Sequence, residues 1–80
     1  NILADLAAKI VAMLEQAQQW VPVKKVYATM FNDGDREEIA KALHHLKETD
    51  VVVSADVMHK GSSVGQILTT RELADKILPP

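Results

Sequence analysis

The chain has 80 residues, a formal net charge of -2 at pH 7, an apolar share of 48% and a charged share of 25%. This composition is ordinary for one small globular domain and excludes an intrinsically disordered chain. The absence of cysteine excludes disulfides, thiolate metal sites and cysteine nucleophiles.

The first 23 residues predict a helix and a short strand. Apolar residues recur at helical spacing and define a core stripe of Leu3, Leu6, Ile10, Met13, Leu14 and Ala17. The solvent side of this helix comprises Asp5, Lys9, Glu15 and Gln16. Pro22 disfavours helix at the residue before it, and the valines on either side favour extended backbone. A short edge strand is therefore predicted after the first helix.

A second, two-turn helix is predicted from Lys24 to Phe31, because three residues then share one apolar side: Val26, Tyr27 and Met30. The sequence Asn32-Asp33-Gly34 is a strong turn signal and ends this helix. We expect the aromatic side chains to pack in the core rather than to stack the bases of single-stranded nucleic acid. These side chains are Trp20, Tyr27 and Phe31.

The third helix is predicted to start at Asp35, which is followed three residues later by Glu38 in the pattern of a capping box. Its buried stripe is expected to comprise Ile39, Ala42, Leu43 and Leu46. Thr49-Asp50 ends the helix, because aspartate tolerates left-handed backbone.

The last third of the chain predicts a β-hairpin and a closing helix. Residues Val51 to Met58 are rich in β-branched side chains, and Val64 to Thr70 can return antiparallel to them. Five residues containing Gly61 would join these strands in a polar loop. A short helix from Arg71 to Leu78, capped by Thr70, is expected to follow.

This order of elements resembles the winged-helix (winged helix-turn-helix) superfamily over about residues 3–78, and in particular small bacterial or phage regulators. The most similar stretch runs from Asp35 to Val53 and looks like a recognition helix that continues into the first wing strand. Family members often have glycine where this chain has Asp50, and both residue types tolerate a positive φ. The resemblance implies an α+β fold with three helices, a short strand, a two-stranded β wing and a short C-terminal helix.

The resemblance also implies sequence-specific binding of double-stranded DNA in transcriptional regulation. The recognition helix, about residues 35–49, would enter the major groove, and the wing, about residues 51–70, would touch phosphate or the minor groove. The implied DNA-contacting residues are Lys24, Lys25, Arg36, Glu37, Lys41, His44, His59, Lys60, Ser62 and Ser63. A homodimer formed through helix one or residues 71–78 would read paired half-sites.

The acidic residues of the predicted reading region leave a second function open. Between Lys24 and Ser62 the acidic residues slightly outnumber Lys and Arg, and Glu37 and Glu38 near the front of the reading helix repel phosphate. Pairs four residues apart, such as Glu37 with Lys41, would explain these charges without DNA. The same fold would then be a protein–protein interaction module whose acidic helix docks a basic partner.

No catalytic residue, cofactor or metal ion is predicted, and we expect the protein not to be an enzyme. The serines lie outside any nucleophile elbow. His44 and His45 diverge by about 100° on a helix, so a metal site completed by His59 has little support.

No apolar run approaches the roughly 20 residues that span a bilayer, and the N-terminus lacks the basic start of a signal peptide. We therefore expect a cytoplasmic protein without a membrane partner. Residues 1–80 are expected to form one domain, which could have been excised from a longer chain because the sequence begins at Asn1 rather than methionine.

Overall fold

The computed structural model describes residues 1–79, which form four α-helices and one three-stranded antiparallel sheet. The elements in chain order are α1 (Ile2–Ala17), β1 (Val21–Pro22), α2 (Val23–Met30), α3 (Arg36–Glu48), β2 (Val52–His59), β3 (Ser62–Thr70) and α4 (Arg71–Ala74). The predicted α+β class and the predicted order of elements are confirmed at this level.

One cluster of apolar side chains forms the core, and every element except α4 contributes a buried residue to it. From α1 the cluster takes Leu6, Ile10 and Leu14, and from α3 it takes the predicted stripe of Ile39, Ala42, Leu43 and Leu46. The 3.6-residue periodicity of both helices places these side chains on one face. Leu3 was predicted to be buried but is exposed, on a surface that it shares with Glu38 and Lys41 of α3.

The turn between α2 and α3 is held close to α1. The Asp35 carboxylate accepts a hydrogen bond from the Glu38 amide at 2.8 Å, and Glu38 Oε1 accepts one from the Asp35 amide at 3.0 Å. The predicted capping box is therefore present and fixes the start of α3. A Cβ on Gly34 would lie 2.8 Å from a methyl carbon of Leu6, so any larger residue here would require the buried Leu6 side chain to move.

The sheet has the strand order β1-β3-β2, which confirms β1 as an edge strand. Val21 pairs with Leu68, and on the other side of β3 the pairing runs from Val52 with Thr70 to His59 with Ser62. The register shifts between Val57 and Met58, where β3 carries an extra residue. Such a bulge increases the local twist of the hairpin.

The hairpin loop is shorter than predicted. Lys60 and Gly61 alone join β2 to β3, with φ of 50° and 81°. Two successive positive φ values make a tight turn whose twist matches that of the flanking strands. The five-residue loop was wrong because His59, Ser62 and Ser63 have no strong strand preference of their own, yet the turn brings them into the ladder.

Smaller corrections concern the ends of the helices. The second helix begins at Val23 and ends at Met30, and the fourth helix ends at Ala74 rather than at Leu78. Thr70 caps the fourth helix as predicted, because its hydroxyl accepts a hydrogen bond from the Leu73 amide at 3.1 Å. Asp50 has a φ of 62°, in agreement with its predicted role in ending α3.

From residue 1 to residue 79, no helix combines the length and apolarity needed to cross a bilayer.

Candidate nucleic-acid interface

The face of α3 opposite the core is not covered by any other element. Its exposed residues include four that the sequence predicted as DNA contacts: Arg36, Glu37, Lys41 and His44. Glu37, Lys41 and His44 follow one another at intervals of four and three residues, so they form a stripe along the helix. The structure therefore brings these three side chains to one surface.

Ion pairs run along this stripe. Lys41 Nζ lies 3.5 Å from Glu37 Oε1, and His44 Nε2 lies 3.0 Å from Glu48 Oε1. Both pairs join residues four apart, as predicted, and both are well exposed. Exposed pairs of this kind contribute little to stability. Their side chains can therefore turn to a ligand at small cost.

Arg36 connects α3 to α2. Its guanidinium carbon lies 4.9 Å from the centroid of the Tyr27 ring, a distance at which the cation is attracted to the ring face. No carboxylate of residues 1–79 lies within 4.0 Å of Arg36 as an ion-pair partner. The first helical residue of α3 thus presents an unneutralised positive charge.

The remaining unpaired charges lie on several elements. Among residues 1–79, the cations without a carboxylate within 4.0 Å are Lys24, Lys25, Arg36, Lys47 and Lys60. They lie on α2, on α3 and in the β2–β3 turn. By the same criterion the unpaired acids of the described chain are Asp5, Glu15, Asp35, Glu38 and Asp56. On α2 and at the hairpin tip the unpaired charges are therefore all positive, whereas Arg36 has the capping carboxylates of Asp35 and Glu38 as neighbours.

The end of the β2–β3 hairpin extends away from the core. Every residue from Met58 to Gln66 is exposed, including the four predicted contacts His59, Lys60, Ser62 and Ser63. The Ser63 hydroxyl donates to Asp56 Oδ1 at 3.3 Å, so this residue is engaged within the hairpin. Lys60 sits at the tip, where its positive charge has no ion-pair partner in residues 1–79.

Lys24 and Lys25 are exposed in the first turn of α2, directly after Pro22 and Val23. The ten predicted contact residues therefore form three groups, on α2, on α3 and at the end of the hairpin. Only the α3 group lies on a single element face.

The sequence missed a groove beside the start of α3. Phe31 was predicted to pack in the core, but its side chain is 73% exposed. Val26 and Met30 fill the core side of α2, and Phe31 points about 100° away from its neighbour Met30. Trp20 is half-buried and also lies outside the core cluster, whereas Tyr27 packs against it as predicted.

The groove has a volume of about 610 Å³ and is lined by Tyr27, Phe31, Asn32, Asp33, Gly34, Asp35, Arg36 and Ile39. An aromatic residue placed immediately before an Asn-Asp-Gly turn was the available sequence signal for it.

The three histidines belong to no cluster of candidate metal ligands in the part of the chain that the structure describes. Over residues 1–79, no three side chains of histidine, aspartate or glutamate converge as metal ligands would.

No protein-family model, no curated protein and no solved structure matches this chain.

Proposed function

We propose that the protein is a winged-helix DNA-binding protein that inserts α3 into the major groove and rests the β2–β3 hairpin on the DNA backbone. The order α1, β1, α2, α3, β2, β3 and the antiparallel strand order β1-β3-β2 support this proposal. The exposed face of α3 supports it too, because a recognition helix needs a side free of packing. The hairpin would be the wing.

The observation that carries the proposal is the position of the unpaired cations. Lys24 and Lys25 on α2, Arg36 on α3 and Lys60 at the hairpin tip have no carboxylate partner in residues 1–79. Each phosphate that such a cation neutralises releases counterions, which is the main source of DNA affinity. The net charge of -2 belongs to the whole molecule, whereas phosphate contacts are local, and no acid of α2 or of the hairpin tip competes with Lys24, Lys25 and Lys60.

The proposed roles follow from side-chain chemistry. Arg36 and Lys41 donate to guanine, and Glu37 accepts from the amino group of cytosine. Lys24, Lys25, Lys60 and the Ser62 hydroxyl contact phosphate, while His44 and His59 add contacts from the helix and the hairpin. Regulation of transcription by a cytoplasmic homodimer that reads two half-sites is part of the same proposal.

A protein-interaction module is the second candidate, because the hairpin also exposes apolar side chains. Met58 is 59% exposed and Val64 is 63% exposed, on the part of the hairpin that leaves the core. Exposed apolar residues on the hairpin, together with the exposed carboxylates of Glu37 and Glu48 on α3, would suit a partner with both basic and apolar groups.

Fluorescence anisotropy with a labelled mixed-sequence duplex, at low and at moderate salt, tests the proposal. The double variant Lys24→Glu, Lys60→Glu is expected to weaken binding at least about 10-fold, and to reduce the log–log salt slope by about 2. The matched control is Lys76→Glu, which changes a charge that is already paired with Glu72 on the closing segment.

If the double variant lost no more affinity per reversed charge than the control variant does, only the net charge of the protein would matter. Binding that ignores both charge reversals, or no binding at low salt, would contradict the DNA proposal. The protein-interaction module would then be the function to pursue.

A further inference from the structure

The outer edge of β2 lacks the devices that usually keep a sheet edge from pairing with another chain. β2 is the last strand in the order β1-β3-β2, so within residues 1–79 no strand pairs with its outer side. Exposed edges are commonly shortened, bulged, or interrupted by lysine or proline. The opposite edge strand, β1, has two residues and ends at Pro22. β2 continues for eight residues without lysine or proline, and the bulge of the hairpin lies on β3.

Alternate residues of β2 turn their backbone groups away from β3. The Arg71 amide donates to the Val51 carbonyl at 3.0 Å and continues the register of the β2–β3 ladder. Because hydrogen-bonded and non-hydrogen-bonded pairs alternate along an antiparallel ladder, the odd-numbered residues of β2 bond to β3. The N–H and C=O groups that point outward belong to Val52, Ser54, Asp56 and Met58.

The side chains of this edge match those of a second copy that runs in the opposite direction. If a two-fold axis passes between the two Ala55 residues, Val53 lies opposite the partner's Val57. Ser54 then lies opposite the partner's Asp56, and its hydroxyl can donate to that carboxylate. The two Asp56 carboxylates are diagonal neighbours, about 7–8 Å apart. An axis at Asp56 itself would place them directly opposite each other, which is destabilising.

The same register covers apolar side chains that a single copy leaves open. Met58 is 59% exposed, and in this register it lies opposite the partner's Val52, which borders the partner's core. Val53, Ala55 and Val57 are half-buried on the other face of β2, where they would meet the same three residues of the partner. The stretch has a single charged side chain, so a second copy fits it better than a strongly charged peptide does.

We infer that β2 pairs antiparallel with β2 of a second copy, centred on Ala55, so that the two sheets of a homodimer become one. The inference rests on the proposed function for the homodimer, whose interface it places on β2 and not on α1 or residues 71–78. None of the proposed DNA contacts lies between Val52 and Met58. The pairing therefore uses none of the residues assigned to DNA.

Cysteine cross-linking tests the register, because the chain has no cysteine of its own. In the inferred dimer the two Ala55 residues form a non-hydrogen-bonded pair, whose Cα atoms lie about 4.5 Å apart. A disulfide can span that distance, so Ala55→Cys treated with diamide is expected to give a covalent dimer. Val53→Cys is the matched control on the same face of β2. Its two thiols would be about 13 Å apart along the strands, so no covalent dimer is expected.

Sedimentation equilibrium tests the association itself. At about 0.1 mM the wild type is expected to be dimeric, although a single strand pair is a small interface. Ser54→Pro is expected to be monomeric, because proline removes an outward N–H that β3 does not use. Ser54→Thr keeps both the N–H and the hydroxyl, and should remain dimeric. Circular dichroism checks that each variant is folded.

Three results would overturn the inference. One is a monomeric wild type, and another is a dimer that persists in folded Ser54→Pro. The third is a covalent dimer that fails to form in Ala55→Cys, or that forms equally in Val53→Cys.

These experiments contain no DNA, so their outcome is separable from that of the duplex experiment. If a strictly monomeric protein binds the duplex through Lys24 and Lys60, the duplex proposal stands and the β2 inference fails. If the protein forms the Ala55-centred dimer but ignores the duplex, the reverse holds.

Discussion

The ion pair between Asp50 and Arg71 joins the α3–β2 connection to the start of α4. Arg71 Nε donates to Asp50 Oδ2 at 3.0 Å and its Nη2 donates to Oδ1 at 2.9 Å, so the pair is bidentate. The hydrogen bonds from Arg71 hold the pKa of the Asp50 carboxyl below its ordinary value of 3.8. Asp50 therefore both accepts the positive φ that ends α3 and fixes the start of α4.

The depressed pKa gives the stability a defined pH dependence. Because the folded pKa lies below the unfolded one, the pair stabilises the fold above pH 3.8, and this contribution is lost as the pH falls through the folded pKa. Asp50→Asn removes the charge and keeps a residue that tolerates positive φ. We expect the variant to melt below the wild type at pH 7, with the gap narrowing as the pH falls below 3.8 and through the folded pKa of Asp50.

Thermal denaturation followed by circular dichroism across this range measures the effect. A gap that is equally large at both ends of the range would show that the charge of Asp50 is not the cause.

At the scale of residues, the sequence could predict features that depend on local interactions, and it could not predict those that depend on packing between elements. The capping box at Asp35 and the left-handed Asp50 were predictable because both depend on local hydrogen bonding and local sterics. The exposure of Phe31 was not, because it depends on where α2 stops relative to the core. The groove that it lines joins two helices, and its one sequence signal, an aromatic residue directly before the Asn-Asp-Gly turn, does not show which way the ring points.

At the scale of elements, the β2–β3 hairpin combines a strained turn with a charged tip. Lys60 adopts a φ of 50°, a conformation that side chains other than Asn, Asp and Gly rarely take. The pair Asn-Gly is the preferred sequence for such a turn. Lysine at this position therefore costs some stability, and its charge at the tip suits the phosphate contact proposed for it.

Replacing Lys60 by asparagine is expected to separate stability from binding. Lys60→Asn should raise the free energy of unfolding by up to about 1 kcal/mol, because asparagine adopts the left-handed conformation more readily. It should also weaken duplex binding, because the tip loses its cation. Urea denaturation and anisotropy measure the two effects on the same samples. Unchanged affinity would remove Lys60 from the interface, and lower stability would contradict the role given to the turn.

The predictability of the elements followed the strength of their periodicity. The buried stripes of α1 and α3 could be located because apolar residues recur at helical spacing over several turns. The hairpin loop was misjudged because residue type alone cannot show that Lys60 takes a positive φ. The fourth helix was predicted too long for a similar reason, since Ile77 and Leu78 are apolar but continue no helix.

At the scale of the whole molecule, α1 holds the fold together by packing its apolar face into the common core. A domain of this length has an expected free energy of unfolding of about 4–12 kcal/mol. Ile10 is fully buried in this core, and Ile10→Ala is expected to cost about 2–5 kcal/mol. The control Ile10→Val removes one methyl group and should cost about 0.5–1.5 kcal/mol.

Urea denaturation of both variants measures these losses. A loss below about 1 kcal/mol in Ile10→Ala would mean that α1 contributes much less to the core than its burial indicates.

The unpaired cations of α2, α3 and the hairpin tip underlie the central claim for the whole molecule, which is that α3 and the hairpin bind duplex DNA. The most direct test is an amide NMR titration of the protein with a mixed-sequence duplex, first at low and then at moderate salt. Shifts concentrated on Lys24, Lys25, residues 36–45 and residues 59–63, and weakening with salt, are the predicted result. Shifts absent from these residues, or confined to α1, would contradict the claim.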